Sequence, residues 1–265
     1  MLVLISQMLF GYIHPRTAKA LTDLALHLRN EELPEAAKRV WNQVLTVMDA
    51  SGQSTPFRNL GMQEVLAGVR KFQRKVFRSE QDLFHRLAHS QHPEVLFITC
   101  SDSRIGTLHI TQGHPGELFV LRNAGNIVPL PGNGMGGEEA SIEYAVKALG
   151  VKDIIICGHS DCGAIKGLLH PEKLNKLPSV AAWLSHAAET AMLAARHKHE
   201  GLDEQAIIAA AIKDNVVVQL SHLSSLPCVK DVLSQGKINL HGWVYNIETG
   251  EVEHYNFHLK SWRKL

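Results

Sequence analysis

Cysteine is scarce in this chain, four residues in 265. Three of the four, Cys100, Cys157 and Cys162, fall in one stretch. So few and so uneven a set makes no disulfide framework; it reads as reduced intracellular thiols, and the expected compartment is the cytoplasm. An excess of either charge is missing too, since 27 Lys and Arg against 26 Asp and Glu leave a formal net charge of +1. That argues against a nucleic-acid partner, which normally needs a clustered basic surface. Long apolar runs are also lacking. Residues 1–12 are apolar and uncharged, but too short to span a bilayer, with neither a basic n-region nor a small-residue cleavage site before His14-Pro15-Arg16. They read as a hydrophobic docking segment, and no membrane span is expected. With no internal repeat or low-complexity tract, a chain 45% hydrophobic and 20% charged reads as one large globular domain, or a domain plus an extension.

Residues 1–61 read as that extension: helices and a linker. Leu21, Leu24, Ala25 and Leu28 follow helical spacing, and after Pro34 so do Ala37, Val40, Trp41, Val44 and Met48, a helical hairpin expected to pack without chemistry of its own. Ser51-Gly52-Gln53-Ser54-Thr55-Pro56 is a linker by composition. Residues 62–265 read as the main domain. A helix over 64–77 carries Arg70, Lys71, Arg74, Lys75 and, just beyond, Arg78 on a solvated basic side. Ser79-Glu80-Gln81-Asp82 predicts a capping box that opens a helix through His89. Strands are expected at 95–98, 118–121 and 154–157, a flexible loop at 132–137, and a helix over 138–149 stopped by Gly150. A long helix from Pro178 to about His199, another over 204–223, and a terminal hairpin of residues 238–247 and 251–257 complete the pattern. The alternation predicts an α/β fold, a mostly parallel central β-sheet flanked by helices. His186, His197, His199 and His222 have no tight ligand spacing with a cysteine or carboxylate and read as surface or structural residues. Cys228 is isolated and reads as a small buried residue.

Two of the strands lead into metal-ligand residue types. Val95-Leu96-Phe97-Ile98 runs into Cys100-Ser101-Asp102-Ser103-Arg104, and Ile154-Ile155-Ile156-Cys157-Gly158 runs into His159-Ser160-Asp161-Cys162. Such short, β-branched runs read as buried parallel strands whose carboxyl ends meet at the crevice where open α/β sheets hold ligands. Two thiolates and one imidazole suit Zn²⁺, and three protein ligands leave a fourth position open for catalysis. Asp102 is able to fill that position and close the site, and Arg104, on the same side of an extended segment, is able to hold the carboxylate off by a bidentate pair. A helix beginning near Cys162 would turn its N–H groups toward the site and favour thiolate. Spacing alone leaves three readings open: a catalytic zinc, a structural zinc clip, and two buried free cysteines with no metal.

Those two blocks, together with Pro115-Gly116-Glu117-Leu118-Phe119-Val120-Leu121-Arg122-Asn123-Ala124-Gly125-Asn126 between them and Gly163-Ala164 after the second, resemble the signature blocks of the β-class carbonic anhydrases. The resemblance runs from about Met62 to about Phe257. It implies one Zn²⁺ per chain on Cys100, His159 and Cys162, and reversible hydration of CO₂ to bicarbonate and a proton by zinc-bound hydroxide. Two thiolates cancel the ion's formal charge, so water at such a site is acidified less than at a three-histidine site. Asp102, held by Arg104, is the expected helper, accepting the hydroxide proton and aiming its lone pair at carbon. Asp102 would join the ligands only in a closed resting state, and Gln91 favours the open form. Gln91 is implied to reach the substrate across a dimer interface, Phe119 and Tyr144 to line the apolar CO₂ pocket, and the Gly163 N–H to contact substrate; core positions for the aromatics and a helix-end position for Gln91 are the plain alternatives. A homodimer or dimer-based oligomer is implied, with the N-terminal helices lying across the partner.

One departure is visible. After Arg104 the family generally has a hydrophobic residue, any residue and a proline, whereas Ile105, Gly106 and Thr107 stand here, which loosens the backbone behind the Asp102 and Arg104 pair. Two other functions fit the same residues: a zinc hydrolase acting on a CO₂-like molecule such as CS₂ or COS, and a non-catalytic carbonic-anhydrase-like scaffold.

Overall fold

The computed structural model describes residues 61–132 and 136–265. Of the expected extension, residues 1–61, all but Gly61 lies outside the described residues, as does the middle of the 132–137 loop. The chain divides into two compact units, Met1–Ser79 and Glu80–Leu265.

In the first unit, helix α1 spans Met62–Lys71, widens into a π-helical turn over Phe72–Val76 and ends in the helical turn Phe77–Ser79. The expected capping box is not formed. Ser79 is the last residue of this helix and its hydroxyl donates back to the Val76 carbonyl at 2.9 Å, so it does not cap the next helix. Glu80, before helix α2 (Gln81–Leu87), has φ −115° and ψ 22° rather than the extended backbone of a capping residue.

The second unit is built on a six-stranded sheet, β1 (Val95–Cys100), β2 (Leu118–Asn123), β3 (Asp153–His159), β4 (Asn239–Tyr245), β5 (Val252–Asn256) and β6 (Ser261–Lys264), in the order β2-β1-β3-β4-β5-β6. The first four strands are parallel, and β4, β5 and β6 are antiparallel to one another, so the sheet is mixed. The 238–257 hairpin is present, but its first strand also docks parallel on β3, and β6 extends the sheet where no strand was expected. Helix α3 (Thr107–Thr111) follows β1, and α4 (Gly137–Glu143) continues through a π-helical segment, Tyr144–Leu149, to Gly150 at φ +69°. Helix α5 is Gly163–Leu169. The long helix expected after Pro178 is broken: α6 (Pro178–Leu184) and α7 (Ala188–His199) are separated by a 3₁₀ turn at Ser185–Ala187. Helix α8 covers Glu204–Ser225, and α9, Pro227–Ser234, restarts after Leu226 with Pro at its first position.

Burial explains the apolar strand runs. Leu96, Phe97, Ile98, Ile154 and Ile156 are fully buried because helices or side chains cover both faces of the central strands. Helix α8 lies so close to β3 and β4 that a Cβ at Gly158 would stand 2.9 Å from Val216, and one at Gly242 2.7 Å from Leu220. The chain passes from β1 outward to β2, then returns to place β3 on the other side of β1. The carboxyl ends of β1 and β3 therefore flank the point where the strand order reverses, the crevice in which such sheets bind ligands.

Candidate metal centre

Cys100 ends β1 and His159 ends β3, two hydrogen-bonded neighbours, and Cys162 follows at the N-cap of α5. Their donor atoms all lie within 4.8 Å of one another and all three residues are buried. The two sulfurs are 3.9 Å apart, close to the roughly 3.8 Å edge that a tetrahedral ion with ~2.3 Å bonds to sulfur requires. The His159 ring is turned by a hydrogen bond from Nδ1–H to the Ser160 carbonyl at 2.8 Å. Its Nε2 is buried and without a hydrogen-bond partner. A buried ring nitrogen is rarely orphaned unless something outside the protein satisfies it, and this tautomer presents a lone pair as metal-binding histidines do. The donor set thus fits a borderline-soft divalent ion.

The two thiols are pushed in opposite directions. The hydrogen bond from Cys162 draws the Cys100 thiol down, helped by His159 and the Gly125 N–H. The same pairing, with burial, pushes Cys162 up. The N–H groups of Ala164 and Ile165 in the first turn of α5 work against that rise, as expected at a helix start.

Asp102 stands beside the cluster, its Oδ2 3.9 Å from His159 Nε2. Arg104 holds it in a bidentate pair, Nε to Oδ1 at 2.9 Å and Nη2 to Oδ2 at 2.7 Å, with the Arg104 N–H also on Oδ1 at 3.0 Å. These bonds keep the Asp102 carboxyl below the usual carboxylate range. Phe119 and Tyr144 pack with ring centroids 6.0 Å apart, and Tyr144 is half exposed. Gly163 opens α5 with free space where a Cβ would lie. Gln91 is exposed on the segment entering β1; among the described residues its side chain makes no hydrogen bond, so this chain by itself does not bring it to the cluster.

Several residues that hold the site were not singled out in the sequence. Arg122 reaches from β2 to the Cys100 carbonyl at 3.0 Å and the Asp102 carbonyl at 2.7 Å. Asn123 braces its loop by bonding both the N–H and the carbonyl of Ile127 at 2.8 Å. Gly125, at φ +83°, points its N–H at Cys100 Sγ across 3.4 Å. Buried Asn215, Gln219 and His222 on α8 bond Gly125 O, Val128 N and Val128 O, and Trp183 donates to Ala124 O. Polar residues at 215, 219 and 222 on an otherwise apolar helix were a readable signal, because one buried helical face with three polar members must serve polar partners. The other histidines lie apart. His186 packs on Trp183 and His197 pairs with Asp214, while the His199 side chain is outside the described residues. An open cavity of about 380 Å³ next to His186 and His222 contains none of the three donors.

Fold and site define an α/β protein with a two-cysteine, one-histidine metal arrangement at the switch point of its sheet. Residues 95–252 match the family model described as carbonic anhydrase. The chain is 48% identical over 192 residues to the carbonic anhydrase of Pseudomonas aeruginosa, covering 72% of this chain and 86% of that one. It is 46% identical over 196 residues to that of Synechocystis sp., covering 74% and 71%. Among solved structures it resembles the β-carbonic anhydrase CcaA, with a TM-score of 0.75 at 45% identity over 77% of this chain and 92% of that one. Coccomyxa β-carbonic anhydrase in complex with acetazolamide gives a TM-score of 0.65 at 31% identity, over 75% and 86%. The chain belongs to the β-carbonic anhydrase family, and is an enzyme of the carbonate dehydratase class.

Proposed function

We propose that the chain interconverts CO₂ and bicarbonate with one Zn²⁺ held by Cys100, His159 and Cys162, and with Asp102 kept off the metal by Arg104. The orphaned Nε2 of His159, buried beside two thiols, is the observation that carries this reading. A zinc ion there acts as a Lewis acid that makes hydroxide available near neutral pH.

The chain's residues supply the rest. Hydroxide adds to the CO₂ carbon, and negative charge develops on the substrate oxygens. Both oxygens of Asp102 accept from Arg104, so the carboxylate keeps one orientation and is positioned to accept a hydrogen bond from the attacking hydroxide and so aim that oxygen's lone pair at carbon. Phe119 and Tyr144 offer an apolar wall suited to a linear apolar substrate. The Gly163 N–H, at the first position of α5, suits the developing charge. Gln91 reaches the substrate from the partner subunit in a dimer-based assembly, a reading supported by the tetrameric β-carbonic anhydrases of Sordaria macrospora, 27% identical with a TM-score of 0.66. The four free thiols suit a reducing cytoplasm. Turnover of CS₂ or COS and a scaffold role are not favoured, since the relatives are carbonic anhydrases.

Stopped-flow CO₂ hydration by zinc-quantified protein, with Asp102→Asn alongside, tests this between pH ~6.5 and ~9, bracketing a metal-bound water near 7. Activity at neutral pH that falls about 100-fold or more in the variant is expected, in the range for losing one positioned hydrogen-bonding group. Activity confined to high pH would mean that Asp102 closes the metal at rest. Inactivity at every pH with one zinc per chain would sink the proposal.

A further inference from the structure

Arg104 has more donors than Asp102 uses, and the remainder go to Asp161. Nη1 donates to Asp161 Oδ2 at 3.0 Å, and Nη2 donates also to the Asp161 backbone carbonyl at 3.2 Å. The other Asp161 oxygen, Oδ1, pairs with Lys166 on α5. Asp161 sits between the two ligands His159 and Cys162, in the left-handed backbone region at φ +59°. Asp is among the few residues with a side chain that accept this conformation readily, and it is this backbone that leaves both carbonyl and carboxylate facing Arg104. The guanidinium plane is thus gripped along one edge by Asp102 and at its tip by Asp161.

We propose that Asp161 is a positioning residue for the reaction: it clamps Arg104 from the second ligand loop, and through Arg104 sets the direction in which the Asp102 carboxylate points. Lys166 balances its charge, so Asp102, Arg104, Asp161 and Lys166 form a neutral quartet. The clamp acts just before the segment in which Thr107, at the start of α3, stands in place of the family's proline. It ties the first ligand loop to the second, 57 residues away in sequence. The proposal rests on the catalytic role given to Asp102.

The test uses zinc-loaded full-length protein and three variants, Asp161→Gly, Asp161→Asn and Asp102→Asn. Glycine removes the carboxylate without straining the left-handed backbone, and asparagine keeps both that backbone and an acceptor for Arg104. Asp161→Gly is expected to lower kcat about 10- to 100-fold, the scale of a misplaced catalytic group, with KM little changed and still one zinc per chain. Asp161→Asn should recover most of that loss. Independently of turnover, the Arg104 Nη1–H resonance in ¹⁵N NMR, the group that donates to Asp161 Oδ2, should be slow to exchange with water in the parent and in Asp161→Asn, and fast in Asp161→Gly. Parent-level kcat in Asp161→Gly, or an unchanged Arg104 resonance, would overturn the proposal. Loss of zinc in Asp161→Gly would also overturn it, by making the residue a shaper of the ligand turn. If Asp102→Asn retains full activity, the underlying reading fails as well; if Asp102→Asn collapses while Asp161→Gly does not, the clamp alone is wrong.

Discussion

Four cysteines meet three environments, and the differences decide their chemistry. Cys100 and Cys162 face each other and a histidine, whereas Cys157, one strand position before Gly158, is fully buried and donates to the Gly158 carbonyl at 3.4 Å. Burial pushes the Cys157 thiol up to about 12, so it carries almost no thiolate at physiological pH. Native zinc-loaded protein treated with iodoacetamide at pH 8 and mapped by mass spectrometry is expected to leave Cys157 unmodified, and to label it only after denaturation. Labelling of Cys157 at the rate of a model thiol in the native protein would contradict the burial argument. The sequence already places Cys157 in the strand run before His159 and leaves it out of the ligand set. In the structure Cys157 packs with Phe97 and Ile155, in a cluster apart from the one that holds Cys100 and Cys162.

At the scale of elements, helix α8 does two jobs with two faces. Its small and β-branched face allows the close approach to Gly158 and Gly242, and its polar members Asn215, Gln219 and His222 carry the loop that lies over Cys100. Helix α7 is tied to it by His197, whose Nε2 lies 2.7 Å from Asp214 Oδ2, with Glu200 at 3.4 Å from Nδ1. Asp214, then Glu200, raises the His197 pKa above its ordinary value of 6.5. A raised folded-state pKa means that the charged pair stabilises the fold fully below about 6.5 and that this contribution disappears as pH rises through the folded value. The urea-unfolding free-energy difference between the parent and His197→Gln should therefore be largest near pH 5.5 and shrink toward pH 9. A gap that stays constant with pH would assign the effect to packing alone.

At the scale of the molecule, the apolar residues Met62, Val65, Leu66, Val69 and Val76 recur along α1 at helical spacing and are exposed. An exposed apolar stripe of that length is costly in water and is usually covered by another chain. The proposed dimer-based assembly predicts a mass of at least twice 29.3 kDa by size-exclusion chromatography with light scattering at micromolar protein. Leu66→Lys with Val69→Lys should shift that mass downward. A parent that runs as a monomer would remove the assembly, and with it the placement of Gln91 at a neighbouring site.

Much of this protein was legible in the chain. The β-branched runs ending at Cys100 and His159, the glycine after the 138–149 helix and the block spacing came from local periodicity and residue chemistry, which sequence carries directly. The capping box, the unbroken helix after Pro178 and the missed strand β6 failed where a short polar or apolar segment has two local solutions and packing selects one. What the sequence determined by itself was which candidate donors the chain carries and the order in which they arrive. Only the tertiary structure decided that Cys100 and Cys162, 62 residues apart, come within 3.9 Å, that Arg104 is shared by two aspartates, and that a helix near the end of the chain holds the loop over the metal ligands. The reason is physical: periodicity reports which face of an element is buried, but which elements share a boundary is set by sheet order and the crossovers between strands, and those arise from packing of the whole chain.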